Sequence, residues 1–153
     1  MIFAMLVALL PKIVVAEPVV EQINAEVEAN VPSAEVFGSL LHRDLLLYFL
    51  KADNKNITSV TYQLLRDTPT GPPQWGPRPN QRGTYPTYYL WVHIFSDSTL
   101  SDDGVLRVMA IERKRFEVTH FLSRAEIMKN PSLVSKIVPL NLVQSVISIA
   151  EAK

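Results

Sequence analysis

The chain reads as an α+β fold: a long helix near the N-terminus packed on a curved antiparallel sheet of about four strands, with small helices at the C-terminus. Three observations predict it. Thr87–Phe95 is the richest β-forming run and is apolar on both alternating faces, Tyr88, Leu90, Val92, Ile94 on one and Tyr89, Trp91, His93, Phe95 on the other. Such a strand lies in the middle of a sheet and is covered on two sides. Ala34–Lys51 carries the longest helical periodicity, and Ser123-Arg124-Ala125-Glu126 has the spacing of a capping box that opens a C-terminal helix.

The 153 residues suit a single domain, and a chain of that size buries enough surface for a core without staples. Apolar residues make up 48% and charged residues 20%, the balance of a globular protein. Net charge is zero, so no basic field is present to hold nucleic acid. The absence of cysteine excludes disulfides, thiol catalysis and thiolate metal sites.

Residues 1–16 read as a signal peptide, and residues 17–153 as the domain. Ile2–Leu10 is an apolar run too short to span a bilayer, and Val14-Val15-Ala16 suits a signal-peptidase site, with the mature chain starting at Glu17. Against this, no Lys or Arg precedes the run, and Pro11-Lys12 interrupts it. The expectation is a periplasmic or secreted protein with no stable membrane insertion after cleavage; the alternative keeps the segment as an anchor.

Pro18–Asn30 is acidic with sparse apolar residues and reads as a loosely docked helix. Ser33 suits the N-cap of the long helix. Its sheet-facing residues are Phe37, Leu40, Leu41, Leu45, Tyr48 and Phe49, and its second half, Leu45–Leu50, is apolar all round, which predicts burial on more than one side. Asp44 falls inside the apolar face, so its carboxylate needs a partner, expected from the sheet: His93, His120, a Tyr62 or Tyr89 hydroxyl, or an arginine such as Arg107. Ile57–Arg66 alternates as a half-buried strand with Val60, Tyr62 and Leu64 inward. Asp97–Gly104 reads as a polar hairpin loop with Asp103-Gly104 as its turn. Val105–Ile111 and Phe116–Leu122 follow as strands around the charged turn Glu112–Arg115. The capping-box helix stops at Asn130-Pro131, Ser132 caps a second, and Leu140–Ala152 makes a third.

Helix first, then a four-strand meander, then small helices is an order that resembles cystatin-like and NTF2-like rolls. The resemblance is architectural, and that architecture hosts enzymes, binders and assembly proteins alike.

Candidate chemistry is sparse. His42, His93 and His120 have no metal-ligand spacing, so no metal or other cofactor is expected. No nucleophile motif accompanies them. Thr68–Pro86 holds six prolines and three glycines, an uncommonly long connection for a compact domain. Within it, Trp75, Arg78, Arg82 and Tyr85 suit partner binding, since an aromatic on such a loop has little core to enter. Tyr89, Trp91 and His93 suit the wall of a ligand pocket. The leading expectation is an exported, non-catalytic binding protein that holds another protein, or a small apolar ligand, with the proline-rich segment and a sheet face. A small cavity enzyme using Asp44 with His93 or His120 as acid and base is the second. A subunit of a cell-envelope complex, anchored by its N-terminal segment, is the third.

Overall fold

The computed structural model describes residues 28–53, 56–66 and 85–152. Residues 1–16, expected to be a signal peptide, most of Pro18–Asn30, and Trp75, Arg78 and Arg82 lie outside the described residues. Helix α1 spans Ala34–Asp53; strands β1 (Ile57–Leu64), β2 (Thr87–Ser96), β3 (Thr99–Ile111) and β4 (Arg115–Ser123) follow; then come α2 (Arg124–Lys129), a 3-10 helix (Pro131–Lys136) and α3 (Leu140–Glu151). The strands form one antiparallel sheet in the order β1-β2-β3-β4, so the fold is α+β with a four-strand meander.

β2 is interior and buried along nearly its whole length, for the reason its two apolar faces give. Its even-numbered residues Tyr88, Leu90, Val92 and Ile94 join Leu41, Leu45 and Phe49 of α1 in one core. Edge-to-face rings tie that core together: Phe37 meets Tyr88 at 5.2 Å and Phe116 at 5.0 Å, and Phe49 meets Phe121 at 5.1 Å. On the other face Tyr89, Trp91, Val105 and Leu122 pack against Ile127, Val134, Leu142, Val146 and Ala150 of the C-terminal helices. The small helices thus form a second layer, and each face of the sheet has its own core.

Four expectations change. The β2–β3 connection is not a loop over 97–104: Asp97 and Ser98, with φ of 48° and 67°, make a two-residue turn closed by the Ser96–Thr99 pair. Asp103 and Gly104 lie inside β3. A Cβ on Gly104 would sit 2.2 Å from the carbonyl oxygen of Leu122, so the glycine serves the close approach of β4 rather than a turn. β1 ends at Leu64, short of Arg66. The second half of α1 is covered on one side only, and Leu47 and Leu50 stay 46% and 41% exposed. The 3-10 helix begins at Pro131 without a side-chain cap; the Ser132 hydroxyl instead donates to the Asn130 side chain at 2.6 Å.

The β3–β4 turn also runs through left-handed backbone, with φ of 51° at Glu112 and 59° at Arg113. Neither residue is glycine, and the conformation is held from outside. The Glu112 amide donates to Asn30 Oδ1 at 2.8 Å, the Arg113 amide to Asn30 O at 3.0 Å, and the Arg113 guanidinium to Glu28 O.

Candidate functional site

Helical spacing puts Asp44, Leu47, Tyr48 and Lys51 on one stripe of α1. Facing them are Arg115, Phe116, Glu117 and Val118 of the edge strand β4, and between the two lies an open cleft of about 350 Å³. Asp44 stands at one end. Its Oδ2 accepts the Phe116 amide at 2.7 Å, and its carboxylate takes the Arg43 guanidinium at 2.8 and 3.1 Å. Arg43 in turn donates to the Lys114 carbonyl at 3.0 Å. The carboxylate therefore does find a donor on the sheet, but it is a backbone amide rather than any expected side chain, and a neighbour on its own helix completes the pair. Asp44 raises the Arg43 pKa above its ordinary value by hydrogen bond and by charge.

That bond also fixes the direction of the strand edge. Phe116 turns its amide away from β3, so in an antiparallel ladder Val118, two residues on, presents its N–H and C=O to the same outer side. Asp44 covers the first of these amides. Among the described residues no hydrogen bond reaches the outward groups of Val118. Burial raises the pKa of the Tyr48 phenol beside them.

The two histidines expected to meet Asp44 do not. His93 sits opposite Asp103 in the β2–β3 register, with Nδ1 3.6 Å from Asp103 Oδ2, too long for a hydrogen bond. His120 sits opposite Arg107, whose Nη2 lies 2.7 Å from His120 Nδ1. Asp44 lines the α1 side, whereas His93 alternates with Tyr89 and Trp91 toward the C-terminal helices. An acid–base pair of Asp44 with His93 is therefore not assembled.

The aromatic wall is not a pocket either. Tyr89 is 5% and Trp91 1% exposed, both inside the core beneath α2 and α3. Arg124 stacks over the Trp91 ring at 5.3 Å and donates to Asp103 through Nε at 2.9 Å and Nη2 at 2.6 Å. The same guanidinium reaches the Ala150 carbonyl at 2.9 Å, pinning the end of α3 to the sheet. Only His93 of the three reaches solvent, its side chain 40% exposed. Tyr85, expected to face a partner, is buried with Met109 and Ile111.

Sequence reasoning missed two participants of the cleft. Leu47 reads as part of a helix buried on more than one side, and Val118 as an ordinary strand residue. A signal was present: a helix apolar all round whose flanking strand lies last in a meander has no further strand to cover it. Among the described residues no cluster of three metal-ligating side chains occurs, and no helix is long and apolar enough to cross a membrane. No family model, curated protein or solved structure matches the chain.

Proposed function

We propose that the protein is a non-catalytic binding module, exported to the periplasm or secreted, that holds an extended segment of another protein along the edge of β4. The observation that carries this reading is the cleft between α1 and β4, bordered by a strand edge that no other strand pairs among the described residues and flanked by the exposed Leu47. A segment laid beside β4 gains main-chain bonds from Val118, and its alternate side chains rest on Leu47, Tyr48 and Val118. Lys51 adds a cation at the helix end of the groove. The engagement of Asp44 by Phe116 and Arg43, apart from His93, supports binding over proton transfer.

Export rests on the short apolar run and the Val14-Val15-Ala16 site. Trp75, Arg78 and Arg82 supply further contacts to the partner in this reading. We also infer a roll of cystatin-like or NTF2-like kind, supported by the order of one helix followed by a four-strand meander. The helical layer on the second face is an addition to that plan.

Selection of linear peptides against the intact protein tests the reading. Bound peptide should slow hydrogen exchange of the Val118 amide, and Leu47→Asp should weaken binding by about tenfold, since it sets a charge in the apolar contact. Leu47 is exposed, so the fold should tolerate the change. Peptides that bind Leu47→Asp unchanged, or that protect β1 instead, refute it.

A further inference from the structure

The sheet face turned from α1 is not covered evenly. At Trp91, Val105 and Leu122 the C-terminal helices lie on it. The next row is Tyr89, Arg107 and His120, brought into register by a bulge at Thr119. There the cover thins, and Arg107 is half-exposed and His120 exposed. One row further, where Thr87 pairs with Met109, burial returns. Met109 is 2% and Ile111 1% exposed, and Thr87 and Tyr85 are buried beside them.

Apolar side chains on a sheet face stay dry only beneath other groups. Tyr85, Met109 and Ile111 form a cluster of their own, and no residue of α2, the 3-10 helix or α3 belongs to it. The exposed His120 marks where the C-terminal layer stops short of them. Their cover therefore comes from another part of the chain.

Two stretches lead to this patch. One comes in through residues 28–30, whose backbone is helical and which are tied to the β3–β4 turn just past Ile111. Glu28 O accepts from the Arg113 guanidinium at 3.0 Å, and Asn30 accepts from the amides of Glu112 and Arg113 at 2.8 and 3.0 Å. The other stretch is residues 67–84, which run into Tyr85.

Composition separates the two. Residues 67–84 hold no Val, Ile, Leu or Met, and bring Arg78 and Arg82 against the single acid Asp67. The border of the patch is itself basic, with Arg107, Arg113, Lys114 and Arg115 outnumbering Glu112 and Glu117. Residues 17–27 suit that border: they carry Glu17, Glu21 and Glu26, no basic residue, and the apolar Val19, Val20, Ile23 and Val27. Their reach also fits. Val20, Ile23 and Val27 recur at helical spacing, and eight helical residues back from Glu28 span about 12 Å. The strand from Arg113 back to Met109 spans about 13 Å.

We propose that residues 18–27 dock on the face formed by Tyr85, Met109 and Ile111, with Val20, Ile23 and Val27 over the cluster and the glutamates toward the basic border. This surface lies on the opposite side of the sheet from the α1–β4 cleft. A segment held there keeps the N-terminal end of the chain away from the cleft, so a leader or anchor preceding residue 17 leaves the cleft open to its partner.

Oxidation of the intact protein by dilute hydrogen peroxide, read by peptide mass spectrometry, tests the docking. Met109 should react slowly, while Met128, 53% exposed, sets the rate of an open thioether. Ile23→Asp should speed Met109 by about tenfold through local release of the segment, with Met128 unchanged. Trp75→Ala should alter neither rate. Methyl NOEs in the parent protein separate docking from any general loosening in the variant: Ile23 and Val27 should contact Met109 and Ile111. Protection of Met109 that survives Ile23→Asp, or absence of those NOEs, overturns the proposal. Release of Met109 by Trp75→Ala assigns the cover to residues 67–84 and overturns it too, and protection that appears only at high protein concentration does so in favour of a second copy of the chain.

Discussion

Replacing Arg124 with methionine should cost the fold about 3–5 kcal/mol, the range for unpairing a buried ion. Asp103 is 7% exposed and takes the Arg124 Nε and Nη2 protons; without them its carboxylate is left in the protein with no cation of comparable geometry. His93 stands 3.6 Å away and is half in water, so it offers only a partial substitute. The Arg124 side chain is 31% exposed, which lets solvent relieve part of the charge and sets the expectation at the lower end of the range. Two further losses push it up: the bond to the Ala150 carbonyl and the stacking on Trp91, the latter worth roughly 0.5–1 kcal/mol or more. Methionine keeps the aliphatic stem against Trp91, so the loss reports the donors rather than a cavity. Urea unfolding at neutral pH measures it, with the m-value unchanged. Asp103→Asn combined with Arg124→Met should return about 1–3 kcal/mol as coupling. A loss under about 1 kcal/mol, or strict additivity in the cycle, would show that the pair does not hold the C-terminal layer to the sheet.

Three other outcomes follow from geometry already given. Gly104→Ala should destabilise by about 3 kcal/mol or more, since its methyl group meets Leu122 backbone; a melting temperature unchanged from the parent rejects the close approach. Trp91→Ala should cost about 3–5 kcal/mol in the same urea assay, as a fully buried aromatic does, and a loss near zero would mean the ring faces open space. Glu126 has its pKa held below the ordinary glutamate value, chiefly by the Ser123 hydroxyl and then by the Ser123 amide. A carboxyl depressed in the folded state stabilises above its unfolded pKa and loses that contribution as pH falls through the folded value. Glu126→Gln should therefore flatten the acid limb of the stability curve below about pH 4.5 and leave its alkaline limb in place; an unaltered acid limb rejects the capping box as its source.

The parts of this structure that local chemistry dictates were legible in the chain. Two apolar faces on Thr87–Phe95 imply cover on both sides, and the helices supply it from opposite ends of the sequence. Ser123 and Glu126 satisfy each other's backbone within one turn, so their spacing was enough to find α2. What escaped was set by distant neighbours. Gly104 reads as a turn beside Asp103 until Leu122 is seen against it. Asp97 and Ser98 carry no glycine to announce left-handed backbone. Asp44 answers to a main-chain amide, which no residue pattern marks. The row of Tyr89, Arg107 and His120 exists only because a bulge at Thr119 sets its register, and register is not written in any one strand.

The division of the core between two helical layers has a consequence for synthesis. Once Ser123 is in the chain every strand of the sheet exists, and α1 is already there to cover one face. The residues that roof Tyr89, Trp91, Val105 and Leu122 all come later. At about 5–20 residues per second, the stretch from Ser123 to Ala150 takes roughly 1–5 s to make, during which a sheet with all four strands made lacks its helical cover. Ser123 is both the last residue of β4 and the cap of α2, so the covering layer starts at the next residue, with no linker between sheet and roof. A chain halted in that interval presents the tryptophan face to its neighbours, and there the protein is most exposed to aggregation.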